Sequence, residues 1–154
     1  MSDLLEELGR KAMLFKFANH FASEKKTISD DFEVNDQLLK EFEGFLKEKD
    51  FQYEEDAEVK VKELREAAEK ERYGKSFYEG IDRVEKAIDA EKARAFERYD
   101  KEIRKALRLE IIARLKGEKA AIAASVKDDH QLQVAVALVK NKPVYKKILA
   151  GDRR

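Results

Sequence analysis

A chain of 154 residues with an apolar fraction of 43% can form one domain with a buried core, which argues against disorder. Charged residues also reach 43%, against about 25% in an average soluble domain, and the 33 basic and 33 acidic side chains cancel. No basic tract stands apart from its acids, cysteine is absent, and no run approaches the roughly 20 apolar residues of a membrane span; nucleic-acid binding, disulfides, thiolate metal sites and a transmembrane segment are therefore not expected.

The first predicted helix covers Asp3 to about Ala22. Leu5, Leu8, Ala12 and Phe15 recur at spacings of three and four, and Met13, Phe17 and Phe21 extend the stripe. Ser23–Phe32 is polar, without a clear period, and reads as a loop. A second helix has a legible start: Asn35 caps it, Asp36 puts negative charge in its first turn, and Val34 closes over Leu39 as a hydrophobic staple. Leu38, Phe42 and Phe45 or Leu46 form its buried side. Phe51 and Tyr53 fall in the next connection, where they plug the joint between helices. A third helix runs from about Glu55 to Arg72 with Val61, Leu64 and Ala68 inward, and ends near Gly74, which can take the left-handed conformation.

The longest amphipathic run follows, from Ile81 to Leu115, with no proline and no cluster of turn formers. It predicts one helix of roughly 35 residues, about 52 Å long, where the average is about 11 to 12 residues. Ile81, Val84, Ile88, Ala95, Tyr99, Ile103, Leu107, Ile111 and Leu115 hold its stripe. Glu91 and Lys92 interrupt that stripe and read as a solvated break. Gly117 ends the run, and an alanine-rich helix over Glu118–Ser125 comes next. Asp128 and Gln131 have capping-box spacing and start a helix through about Val139. Asn141, Lys142 and Pro143 stop it, and Val144, Tyr145, Ile148 and Leu149 fold back as a final turn or two. The expected fold is all-α: an irregular multi-helix domain, elongated, organised around one unusually long helix. As a domain, residues 1–154 form a single unit, with two small helical lobes joined by the helix near 81–115.

Chemistry is sparse. His20 lies beside Phe17 and Phe21 near a helix end and reads as packing. His130 follows Asp128 and Asp129, which invites a metal; helix capping explains all three better, because carboxylates stabilise the free amides of a first turn. Two histidines without cysteine do not make a usual structural zinc site. Ser23, Ser29, Ser76 and Ser125 fall in loops or near helix ends, and Lys75 beside Ser76 is not a dyad, since a base must meet its nucleophile in space. No phosphate loop, G-x-S-x-G or H-E-x-x-H occurs. No catalytic residue, cofactor site or metal site is assigned. Tyr73, Phe77 and Tyr78 cluster at the entrance to the long helix. They read either as core packing at a helix junction or, more sharply, as a docking knob for a partner or a neighbouring domain.

Several stretches in order resemble one family. They are LLEELGRKAMLFKFANHFA at Leu4–Ala22, FEVNDQLLKEFEGFLKEKDFQYE at Phe32–Glu54, and IRKALRLEIIARLKGEKAAIAASVKDDHQLQVAVALV at Ile103–Val139, with the tail PVYKKILAG at Pro143–Gly151. Together they look like the C-terminal helical region of bacterial carboxyl-terminal processing peptidases, the S41 serine peptidases, in the long form found in Bacteroidetes and their relatives. The third stretch departs from the pattern: the family often carries aromatics close to its glycine, where this chain has Arg114–Leu115–Lys116–Gly117. The resemblance implies amide hydrolysis by a serine nucleophile and a lysine base elsewhere in such a protein, with a PDZ domain selecting substrate C-termini. None of those motifs is in this chain, so no catalytic residue carries over. By the same resemblance the chain is a non-catalytic accessory domain, a C-terminal piece of a peptidase of the cell envelope or periplasm, which braces the protease core, governs access to it or mediates assembly. Its partners are then the PDZ and peptidase domains of the same protein. The acidic start, Met1 to Glu7, is not a signal peptide. The other reading is an independent helical adaptor whose long helix binds another helical protein or forms a homo-oligomer.

Overall fold

The computed structural model describes residues 2–127 and 129–149, and among them the chain is built of helices and turns, with no strand. The all-α expectation holds. The helix from Asp3 to Ala22 is in fact two, α1 (Asp3–Arg10) and α2 (Met13–Glu24), separated at Ala12, which takes a left-handed φ of 53°. The break has a geometric cause. At about 100° per residue Leu4 and Leu8 share a face, whereas Met13, Phe17 and Phe21 would fall about 180° to 260° round from Leu4. The turn brings all five into one core. A left-handed alanine costs about 1–2 kcal/mol, which burial of three large side chains outweighs. Phe15 does not join the buried stripe: it is 52% exposed, because two residues of helix set it nearly opposite Phe17.

The loop holds from Lys25 on, Ser23 and Glu24 belonging to α2, and the next helix, α3 (Asp36–Glu48), starts as its sequence predicts. Asn35 Oδ1 accepts the Leu38 amide at 2.8 Å, and Val34 and Leu39 are both buried at the staple positions. Leu38, Leu39, Phe42, Phe45 and Leu46 face inward. Phe51 and Tyr53 pack on this core from the connection that follows, their rings stacked 6.0 Å apart.

α4 (Asp56–Lys70) and α5 (Lys75–Ala93) pack against each other. A capping box starts α4, with the Glu55 amide donating to Glu58 Oε2 at 2.6 Å. Ala68 is buried and Val61 half-buried, but Leu64 is 48% exposed and not inward. Nor does Gly74 close the helix. Arg72 takes the left-handed φ, 56°, while the Tyr73 amide returns to the Ala68 carbonyl at 3.0 Å; Gly74 is the extended N-cap of α5. Across the pair Arg65 donates to Asp82 at 2.6 Å and to Glu85 at 2.9 Å.

The long helix is not continuous. α5 starts six residues before Ile81 and stops at Ala93; α6 (Ala95–Arg98) and α7 (Asp100–Lys116) follow, with single-residue breaks at Arg94 and Tyr99. Each four-residue step from Ala95 through Tyr99, Ile103 and Leu107 to Ile111 advances the stripe by about 40°, about 160° in all, so a straight rod would carry it off the core. Breaking the rod keeps Ala95, Ile103, Leu107 and Ile111 in one buried cluster with α1, α2 and α3. The Arg98 guanidinium also donates to the Glu91 carbonyl at 2.9 Å, satisfying backbone at the first break.

Gly117, with a φ of 88°, separates α7 from α8 (Glu118–Lys127). α9 (His130–Lys140) is capped by Asp129, whose Oδ1 accepts the Leu132 amide at 3.0 Å; Asp128, the expected cap, lies outside the described residues, as does the side chain of His130. α10 (Lys142–Leu149) carries Pro143 in its first turn, where a missing N–H is harmless.

The centre of the core is Phe42 with Leu4, Leu8, Ile103, Leu107 and Ile111, all essentially without solvent contact. Phe17 meets Phe42 edge-on at 5.2 Å. Phe42→Ala is expected to lower stability by about 3–5 kcal/mol in urea unfolding, whereas Phe15→Ala changes it by less than about 1 kcal/mol. Equal losses would contradict this core.

Candidate functional site

The cations of the broken rod tie down the two connections on either side of α3. On α7, Arg104 donates to the Val34 carbonyl and to Asp36, both at 2.7 Å, and to Asp100 at 2.9 Å. Arg108 donates to the Phe32 carbonyl at 2.8 Å and pairs with Glu33 at 3.1 Å. Lys116 reaches the Ser29 carbonyl at 2.9 Å and Asp30 at 2.6 Å, holding the Asp30 carboxyl below its ordinary pKa. The segment between α2 and α3 is thus strapped along α7 through its own backbone carbonyls.

Lys92 does the same for the segment between α3 and α4. Its ammonium donates to Glu58 at 2.6 Å and to the Tyr53 carbonyl at 2.7 Å, and lies 4.7 Å from the Tyr53 ring centre. This overturns its reading as a solvated break. Its position on the apolar stripe, four residues after Ile88, was the signal for burial. Burial raises the Glu58 pKa, but the Glu55 amide and Lys92 outweigh it and hold the carboxyl below the ordinary value. Burial first, then Glu55, pushes the Tyr53 phenol up.

Beside this cluster an open groove of about 560 Å³ is lined by Leu46, Phe51, Tyr53, Ala93 and Phe96 together with the polar side chains of Glu43, Lys47, Asp50, Gln52 and Lys92. Within it the Tyr53 hydroxyl donates to Glu55 at 3.3 Å, Lys92 to Glu58 at 2.6 Å and Gln52 to Asp50 at 3.3 Å. The groove can accept an apolar side chain but supplies no activated nucleophile.

Two of the candidate serine hydroxyls are spent on their own helices. Ser23 donates to the His20 carbonyl at 2.7 Å and Ser125 to that of Ile122 at 2.9 Å. Lys75 pairs with Glu79 at 3.6 Å. His20, half exposed, stacks on Phe45 at 5.8 Å and lies 3.7 Å from Glu24. Among the described residues no cluster of three histidine, cysteine or acidic side chains could hold a metal.

Tyr73, Phe77 and Tyr78 do come together, at the turn between α4 and α5. Tyr73 and Phe77 meet edge-on at 4.8 Å, and Phe77 and Tyr78 at 6.4 Å. Tyr73 is 49% exposed, the other two are half-buried, and the Arg65 guanidinium lies 6.0 Å from the Tyr78 ring.

Lys92→Met is expected to cost about 1 kcal/mol at neutral pH, the pair being only partly buried. Because the folded pKa of Glu58 is depressed, its ionic contribution is present above the unfolded pKa and disappears as pH falls through the folded one. The deficit of the variant in denaturant titrations should therefore shrink on acidification, and a deficit independent of pH would contradict the ion pair.

The family model described as "Probable PDZ-protease, C-terminal helical domain" matches residues 4–139. No curated protein matches the chain. No solved structure matches it either. The match runs from α1 to α9 and takes in both strapped connections and the aromatic turn. The family is defined as the helical C-terminal domain of a PDZ-protease, which is not the catalytic domain. By this match the chain belongs to the family of PDZ-protease C-terminal helical domains.

Proposed function

We propose that the chain is the non-catalytic accessory domain of a serine–lysine peptidase of the S41 class in the cell envelope, and that it braces the PDZ and peptidase portions of the same protein. The family match over residues 4–139 carries this reading. Bracing needs a body that does not deform when loaded. The support for that body is the set of ties by which Arg104, Arg108 and Lys116 fix one connection and Lys92 the other. The contact surface on this reading is the turn bearing Tyr73, Phe77 and Tyr78, where aromatic rings sit at an exposed end of a helix pair. Rigid aromatics of this kind concentrate binding energy at interfaces.

Two measurements test the reading. The chain alone should not cleave unfolded peptides, and reproducible serine-dependent turnover would contradict it. Mixed with the separately produced PDZ–peptidase portion, the chain should form a complex that Phe77→Ala weakens at least about tenfold while leaving the fold intact. A complex indifferent to Phe77→Ala would remove the aromatic turn from the interface. Absence of any complex, with self-association instead, would favour an independent dimerising adaptor.

A further inference from the structure

The C-terminal helices carry an apolar surface that the core does not cover. None of the described side chains of α9 or α10 is fully buried. On α10 Val144, Tyr145 and Ile148 are 42%, 38% and 57% exposed. At about 100° per residue they span an arc of about 100°, with Lys142 and Lys147 about 60° outside its two edges and Lys146 opposite. Leu132, Val136 and Val139 form a second exposed aliphatic row along α9. Apart from His130, every ionisable side chain from 130 to 149, the Tyr145 phenol excepted, is a lysine: Lys140, Lys142, Lys146 and Lys147. The whole chain carries 33 acids, and this stretch has none of them.

We infer that α10, continued by the exposed row of α9, is a surface-binding element for anionic lipid. It would lie in the headgroup plane with Val144, Tyr145 and Ile148 inserted and the lysines flanking that arc at the phosphates. Two features favour lipid over a protein partner. Protein interfaces are enriched in arginine, methionine and large aromatics and depleted in lysine, and this stretch has the opposite bias, with one tyrosine and no arginine, methionine, phenylalanine or tryptophan. Lysines flanking an apolar arc can also extend their stems over it and keep their charges in the headgroups. No described helix is long and apolar enough to cross a membrane, so the contact is with the surface. The family match ends at residue 139, which leaves α10 outside the match that supports the bracing role.

The test is co-sedimentation of the 154-residue chain with vesicles of phosphatidylcholine, alone or containing about one-third phosphatidylglycerol. Partitioning should be at least about tenfold higher on the anionic vesicles and should fall about fivefold for Lys142→Gln, at the edge of the apolar arc, and by less for Lys146→Gln on its far side. High salt should release the chain, and Ile148→Ser should weaken partitioning on anionic vesicles. All these positions are exposed, so circular dichroism and urea unfolding of the variants should match the parent. Equal partitioning on both vesicles, or no loss in the Lys142→Gln/Lys146→Gln double variant, would overturn the inference. So would self-association that Ile148→Ser abolishes in the absence of vesicle binding, which would assign the surface to a second copy. The assay contains no peptidase portion, so its outcome is independent of the bracing proposal.

Discussion

Ile103, Leu107 and Ile111 project from one side of α7 with no solvent contact, and the rest of the architecture is arranged to reach them. Each of these side chains removed from water stabilises the fold by about 1.5–3 kcal/mol, far more than a local backbone irregularity costs. That ratio explains why the helices break where they do. Ala12 accepts a left-handed conformation so that α1 and α2 both contribute to the core that α7 shares, and Arg94 and Tyr99 interrupt what would otherwise be a rod. The helix lengths are set by the shared core more than by helix propensity, which alone would have run straight through all three positions.

The high charge content has a matching explanation. A connection without secondary structure leaves its carbonyls needing donors, and in this chain long cationic side chains from neighbouring helices supply them. Arg104 to Val34, Arg108 to Phe32, Lys116 to Ser29 and Lys92 to Tyr53 are all of this kind. In each case the side chain is largely covered while its head bonds backbone, and a nearby carboxylate balances the charge. The exposed i to i+4 pairs such as Lys75–Glu79 contribute little beside these.

What the sequence made legible follows from how local each signal is. The Asn35 cap, the Val34–Leu39 staple, the Gly117 stop and the plugs Phe51 and Tyr53 depend on a few adjacent residues and were read correctly. The breaks at Ala12, Arg94 and Tyr99 were not, because a break demanded by a distant core leaves no glycine or proline behind. Leu64 and Phe15 were assigned to buried faces for the same reason: spacing shows that a helix has an apolar side, not where its partner stands. Arg72 and Asp50 hold positive φ without being glycine, so the closures of α4 and α3 were equally hidden. The aromatic trio at 73, 77 and 78 is visible by spacing, whereas the Lys92 cluster requires reading a charge on an apolar stripe as a partly buried contact.

A body whose interior is centred on α7 and whose loops are strapped to α5 and α7 fits the bracing role proposed above. Such a body should exist before it meets a partner. Hydrogen exchange along the chain, alone and mixed with the PDZ–peptidase portion, tests this most directly. The account predicts that amides of α2, α3 and α7 exchange equally slowly in both conditions, with added protection confined to the α4–α5 turn. If α7 exchanges rapidly in the chain alone and becomes protected only on mixing, the domain is not self-standing and the account is wrong.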